Sequence, residues 1–174
     1  MMAGTMKQGL DKIGDAIGGG VGKMNAATIY TSNEFVEQIS IGNHYELEAA
    51  RIALSRSASD AVRSFADQMV EDHTTAKHHL DASLAMNETA DVPPPPEKLD
   101  TRREAMVRHL RDAPDSSFDS SYAEQQVLAH EETATLLRSY AQRGDNSQLQ
   151  SFAQGTLPVV ERHLANAKTL KERT

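Results

Sequence analysis

Four long stretches of the chain place apolar or small residues at steps of three and four, the spacing that lines one face of an α-helix. The first begins after Thr31-Ser-Asn-Glu34, a capping box whose hydroxyl and carboxylate satisfy free backbone amides. The second begins near Ser59, the third at Ser117–Ser121 and the fourth near Leu149. This periodicity predicts four amphipathic helices that bury their apolar faces against one another.

The connections between these stretches restrict how the helices can pack. Residues 55–59 and 143–147 are short polar turns, so each joins two antiparallel neighbours. Between the second and third stretches, the run Pro93–Pro96 stops any helix, because proline lacks an amide hydrogen and clashes with the preceding turn. A short extra helix is expected near Leu99–Arg111 in this crossover. The sequence therefore predicts an all-α fold, with an antiparallel four-helix bundle over residues 31–174.

Residues 1–30 differ in composition from the rest of the chain. Seven of the ten glycines lie there, and each glycine inside a helix costs about 1 kcal/mol relative to alanine. The segment is therefore interpreted as a flexible or conditionally helical tail. A second interpretation is that residues 1–27 dock on a membrane surface or a protein partner through a helix face that carries regularly spaced glycines. That face comprises Leu10, Ile13, Ile17, Val21, Gly14, Gly18 and Gly22.

Charge and hydropathy exclude several classes of protein. The net charge is −7 and no basic stripe is visible, so nucleic acid is not an expected partner. No apolar run approaches the ~20 residues of a transmembrane span. Asp11, Lys12 and Asp15 interrupt the N-terminus where a signal peptide would be apolar, so a cytoplasmic location is expected. The chain has no cysteine, which excludes thiolate ligands for a metal.

One metal-capable side chain interrupts each of the four apolar stripes near its middle: Glu46, His73, His130 and His163. Antiparallel packing would bring all four to a similar height inside the bundle. A buried polar group without a partner costs roughly 1–3 kcal/mol, so the four need a common partner. A divalent cation provides one, because neutral imidazoles and a carboxylate donate lone pairs to a single centre. A metal-free polar network of the same residues is the alternative.

The donor set favours zinc as the single divalent transition metal, with iron, manganese, copper and nickel as competitors. A ferritin-type di-iron centre would need Glu-x-x-His pairs, and the chain contains none. The centre is therefore predicted to be mononuclear. Three neighbouring carboxylates could each accept a hydrogen bond from the N–H of a metal-binding histidine without binding the metal themselves. The alternative is that they are ordinary surface groups. They are Asp72, Glu161 and Glu48.

Several motifs together resemble one bacterial family. They are Gly42-Asn-His-Tyr-Glu46, Met69-Val-Glu-Asp72-His73, Phe118-Asp-Ser-Ser-Tyr122, His130-Glu131, and Thr156-Leu-Pro158 followed by His163. Over about residues 33–170 the chain resembles the domain-of-unknown-function family DUF4142, whose members are often described as predicted outer membrane proteins. The resemblance implies a ferritin-like bundle, implies that many relatives are exported, and assigns no biochemical role. It matches the family's recurring polar positions to Glu46, Asp72, His73, His130 and His163.

Three functional hypotheses follow. The first is a non-catalytic metal-binding protein, with zinc as the first candidate, in a bacterial stress or metal-homeostasis setting that the resemblance suggests. The second is a metal-dependent oxidoreductase or hydrolase, in which an open coordination position activates oxygen or water. The third is an interaction module that docks through residues 1–27.

Overall fold

The computed structural model describes residues 2–174, in which it contains six α-helices and no strand. The helices are α1 (Met2–Ala26), α2 (Ser32–Arg56), α3 (Asp60–Leu84), α4 (Thr101–Asp112), α5 (Asp115–Arg143) and α6 (Ser147–Lys171). A single 3₁₀ turn lies at Asn87–Thr89 in the crossover between α3 and α5. The all-α prediction is confirmed, and α4 lies where the short extra helix was expected.

Local capping explains where the long helices begin. The hydroxyl of Thr31 accepts a hydrogen bond from the amide of Glu34 at 3.4 Å and donates one to the Glu34 carboxylate at 2.7 Å. At the start of α3, the hydroxyl of Ser59 accepts a hydrogen bond from the amide of Val62 at 3.4 Å. The helix α5 begins at Asp115, earlier than the predicted Ser117–Ser121. Pro114 immediately precedes α5. Its lack of an amide hydrogen does not weaken the helix, because the first amides of a helix have no intrahelical acceptor.

Four of the five long helices, α2, α3, α5 and α6, surround two apolar clusters. α2 packs on α3 and α5, and α6 packs on the same two helices from the other side. The first cluster, called the Phe35 cluster, includes Phe35, Ile39, Leu80, Leu137, Tyr140, Leu149 and Phe152. The second, called the Tyr45 cluster, includes Tyr45, Ala49, Val62, Phe65, Met69, Leu110, Tyr122 and Leu170. Each of these four helices passes from one cluster to the other, so its middle lies between them.

The helix α1 lies along the outside, against α5 and α4. Its buried positions are the small or polar residues Asp15, Gly19 and Ala26, whereas its large apolar residues are exposed. A Cβ on Gly19 would come within 3.0 Å of the Leu128 side chain, so this glycine permits the close approach of α1 to α5.

The division into a tail of residues 1–30 and a bundle of residues 31–174 stays a prediction. Among residues 2–174, no helix combines the length and the apolar character needed to cross a membrane.

Candidate metal centre

Three histidine side chains meet between the Phe35 cluster and the Tyr45 cluster. His73 comes from α3, His130 from α5 and His163 from α6, and all three are buried. One ring nitrogen from each lies within 4.8 Å of the corresponding nitrogens of the other two. The ring centroids are 5.4–5.9 Å apart. The sequence placed these three residues at the middle of their helices, and the packing of the helices brings them together.

The other nitrogen of each ring has a hydrogen-bond acceptor. Nδ1 of His73 lies 2.8 Å from the side-chain oxygen of Asn43, and Nδ1 of His130 lies 2.8 Å from the main-chain carbonyl oxygen of Gln126. Nε2 of His163 lies 2.7 Å from Oδ2 of Asp72. A carbonyl or carboxylate oxygen can only accept, so each ring carries its proton on this outer nitrogen.

The inner nitrogens are therefore unprotonated and without a partner. Nε2 of His73, Nε2 of His130 and Nδ1 of His163 are buried and have no hydrogen-bond partner in the structure. Each presents a lone pair, because the single proton of a neutral imidazole is held at the other nitrogen. Three lone pairs face one small region, and this is the arrangement that a metal ion would satisfy.

Electrostatics favour the neutral form of two of these rings, those of His73 and His163. Burial lowers the pKa of His73 well below its ordinary value, and the neighbouring His130 and His163 lower it further. Burial also lowers the pKa of His163, although its hydrogen bond to Asp72 works in the opposite direction. Neutral imidazole is the form that binds metals, so the environment favours the ligand state at neutral pH.

The structure does not place Glu46 with the three inner nitrogens, contrary to the expectation of a four-residue ligand set. Its side chain is buried, and Oε1 lies 3.6 Å from Nδ1 of His130, which is the outer nitrogen of that ring. The reason is geometric, because α2 reaches the histidines one turn earlier, through Asn43. Burial raises the pKa of Glu46, and its Oε2 has no hydrogen-bond partner.

Of the three carboxylates expected near the imidazoles, only Asp72 is found there. It holds the N–H of His163 on α6 rather than that of its sequence neighbour His73. Glu161 instead accepts from Arg138 at 2.5 Å and Glu48 from Arg111 at 2.6 Å, both as surface ion pairs. The side chains of Glu161 and Glu48 are half-exposed, which is the ordinary state of a charged residue.

Sequence reasoning missed Asn43 and the carbonyl of Gln126. Asn43 lies three residues before Glu46, on the same face of α2. This spacing could have identified its amide as a candidate partner of the histidines. The carbonyl of Gln126 is four residues before His130 on the same helix. Whether this carbonyl oxygen accepts from the His130 ring depends on how the ring is oriented, and the sequence does not predict that orientation.

A cavity of about 50 Å³ adjoins two of the histidines. His73 and His163 form part of its wall, and Ser40 lies in the same wall with a buried hydroxyl that has no partner. The rest of the lining combines apolar side chains with polar and charged ones: Ile39, Ala76, Leu80, Phe152, Val159 and Val160 are apolar, and Asn43, His44, Asp72, Lys77, Asp81, Thr133 and Thr156 are polar or charged. A space of this size holds a few water molecules or one very small ligand.

Comparison with known proteins supports the resemblance described above. A family model described as "Domain of unknown function (DUF4142)" matches residues 21–170. Neither the curated proteins nor the solved structures contain a match to the chain.

Proposed function

We propose that this chain, which belongs to the DUF4142 family, is a metal-binding protein that holds one divalent transition-metal ion between His73, His130 and His163. The observation that carries the proposal is the set of three buried inner nitrogens without hydrogen-bond partners. The proposed scaffold is a ferritin-like, antiparallel four-helix bundle made of α2, α3, α5 and α6. The contacts among these helices and the short connections between α2 and α3 and between α5 and α6 support it.

A metal-free network explains the three histidines less well. Such a network needs one proton between each pair of facing polar atoms. The three outer N–H groups are already donated to Asn43, Gln126 and Asp72, so the three inner nitrogens are all acceptors. An unpaired buried polar atom costs about 1–3 kcal/mol, and protonating a ring would place a charge in a buried site. A bound cation would pair with the lone pairs of the three inner nitrogens, and no ring would need to be protonated.

Zinc is the first candidate for the ion. Neutral imidazole nitrogens suit zinc, copper, iron and nickel, whereas manganese prefers more oxygen ligands. The outer acceptors fix each ring in one tautomer and orientation, as the acceptors around zinc-bound histidines do. Glu46 remains close enough to His130 to tune it electrostatically, and we do not include it among the three ligands. A role in bacterial stress or metal homeostasis is the setting that we propose for a non-catalytic site.

Elemental analysis tests this proposal. Protein purified without an affinity tag should carry, or take up on titration, about one equivalent of a transition metal. The His130→Ala variant should lose it, and the matched control is His78→Ala, which removes an exposed histidine from α3. Uptake of well under about one tenth of an equivalent by the wild-type protein would contradict the proposal, as would equal metal content in both variants.

A second candidate function is supported by the cavity beside His73 and His163. Three protein ligands leave at least one position of a tetrahedral ion open, which is the arrangement of catalytic zinc sites. When bound, the ion would supply Lewis acidity toward water or oxygen. The cobalt-substituted protein should then change its visible spectrum on addition of azide. A spectrum unaffected by azide would indicate a closed, non-catalytic site.

A further inference from the structure

The cavity beside His73 and His163 lies next to the histidines along the bundle axis, on the side of the Phe35 cluster. Each of the four surrounding helices contributes to its wall a residue about one turn from the level of the histidines: Ser40 on α2, Ala76 on α3, Thr133 on α5 and Val160 on α6. On α3 and α5 this residue follows the histidine by three positions. On α6, which runs in the opposite direction, it precedes the histidine by three. The cavity therefore forms the layer next to the three histidines.

The other side of the histidines is filled. Met69 lies one turn before His73 on α3 and is fully buried, and the ring centroid of Phe65 lies 6.4 Å from that of His130. Both side chains belong to the Tyr45 cluster. An ion held by three nitrogens has its fourth tetrahedral position on one side of the plane through those nitrogens. The side with free space is the cavity.

Ser40 supplies a buried hydrogen-bond donor in the cavity wall. Its side chain is 5% exposed, and its hydroxyl has no hydrogen-bond partner within the described part of the chain. Hydroxyls elsewhere in the helices bond to the carbonyl oxygen four residues earlier, as Thr74 does with Val70 at 2.6 Å and Thr135 with Glu131 at 2.8 Å. Ser40 does not make that bond, so an acceptor inside the cavity would satisfy its proton.

The charges around the cavity favour an anion once an ion is bound. The three imidazole ligands are neutral, so a divalent ion retains both positive charges within its ligand set. Asp72 and Glu46 lie behind two of the rings, against their outer nitrogens. Lys77 and Asp81 also line the cavity, but they form an ion pair at 2.6 Å and largely cancel each other. A negatively charged ligand would therefore be attracted into the cavity by the ion.

We propose that this cavity binds a small monovalent anion of two or three heavy atoms, which ligates the ion at one end and accepts a hydrogen bond from Ser40 at the other. This anion site rests on the proposed metal centre, whose exogenous ligand it specifies. A water-sized group needs roughly 10–15 Å³, so the cavity of about 50 Å³ holds about three or four such groups. Linear azide and cyanate fit within this limit, whereas benzoate is too large.

Azide titration of the metal-loaded full chain tests this proposal, with the visible spectrum of the cobalt-substituted protein as the readout. The wild-type protein should bind azide. Ser40→Ala should bind it at least about tenfold more weakly while it holds the same amount of metal, because only the donor to the far end of the anion is lost. The matched control is Ser121→Ala, which removes a buried serine hydroxyl of α5 outside the cavity and should keep the wild-type azide affinity.

The metal content, measured before any anion is added, separates this proposal from the metal-binding proposal. A metal-loaded protein that does not respond to azide would overturn the anion site and leave the metal centre standing. Equal azide affinities of the wild-type protein and Ser40→Ala would also overturn it, as would displacement of azide by an equal concentration of benzoate. A protein that takes up no metal would overturn both proposals. Circular dichroism of both variants checks that the helices are retained.

Discussion

Nε2 of His163 donates a hydrogen bond to Oδ2 of Asp72 across the space between α6 and α3, at 2.7 Å. Asp72 adjoins His73 in sequence, so one short segment of α3 supplies both an inner nitrogen of the cluster and the acceptor that orients a ring from another helix. The pair ties the position of α6 to that of α3 at the height of the proposed centre.

The substitution Asp72→Asn should weaken metal binding by about 10- to 100-fold, the usual effect of losing a partner that orients a ligating histidine. The amide is a weaker acceptor than the carboxylate and leaves the His163 ring less basic. Isothermal titration with zinc measures the change. Asp67→Asn, at an exposed position of the same helix, should match the wild-type affinity. Equal affinities for all three proteins would contradict a role for Asp72.

The substitution Glu46→Gln should change the metal affinity by less than about threefold, because Glu46 lies beside the outer nitrogen of His130 and not among the inner nitrogens. The same titration measures it. A loss of metal affinity as large as that caused by His130→Ala would indicate that Glu46 is a metal ligand, as the sequence predicted.

The stability of the metal-free protein should fall as the pH decreases below about 6.5. Burial lowers the pKa of His73 and of His163 in the folded state, so in this range the unfolded chain binds more protons than the folded protein. Stability from the neutral rings is present above the unfolded pKa and is lost below it, by at most about 1.4 kcal/mol per pH unit for each ring. Urea unfolding in the presence of a chelator measures this slope.

Glu46 acts in the opposite direction, because burial raises its pKa above the ordinary value. Between the unfolded and the folded pKa, the folded state retains this proton more strongly, and stability therefore rises as the pH falls. The Glu46→Gln variant removes that contribution, so its stability should decrease more steeply on acidification than that of the wild-type protein. A flat profile from pH 7.5 to 5 in this variant would contradict the assigned protonation of the histidines.

The substitution Glu132→Leu should destabilise the protein by about 2 kcal/mol, because it removes one of the two carboxylates that hold the buried Arg103 guanidinium and also the partner of Arg102. Arg103 donates to Glu132 at 2.7 Å, and both side chains are buried. The matched control Glu161→Leu breaks a surface pair with Arg138 and should cost no more than about 1 kcal/mol. Urea denaturation of both variants compares them. Similar losses would mean that burial of the Arg103 pair has little effect.

Metal addition should stabilise the folded protein against heat. A ligand at 100 times its dissociation constant contributes about 2.7 kcal/mol when it binds only the folded state. The thermal midpoint of the wild-type protein should therefore rise on addition of zinc and fall again with a chelator. His163→Ala should show little of this rise, since it removes one of the three inner nitrogens.

Local sequence determined the helices and the positions of the histidines along them. The periodicity of apolar residues and the caps at Thr31 and Ser59 are local properties, so the first residues of α2 and α3 could be predicted within a residue or two. The same periodicity placed His73, His130 and His163 on buried stripes. Short-range patterns specify which face of a helix is apolar, and this is enough to find candidate ligands.

Tertiary packing alone decided which polar groups meet. Glu46 and Asn43 lie one turn apart on α2, and only the rotation and depth of that helix determine that Asn43 touches an imidazole ring while Glu46 lies behind another. The orientation of α1 is also a tertiary property. Its sequence predicts one apolar and one polar face, but the carboxylates and His109 of α4 and α5 determine that the polar face turns inward. Such contacts join residues some 30 to 110 positions apart, so the local spacing of residues cannot predict them.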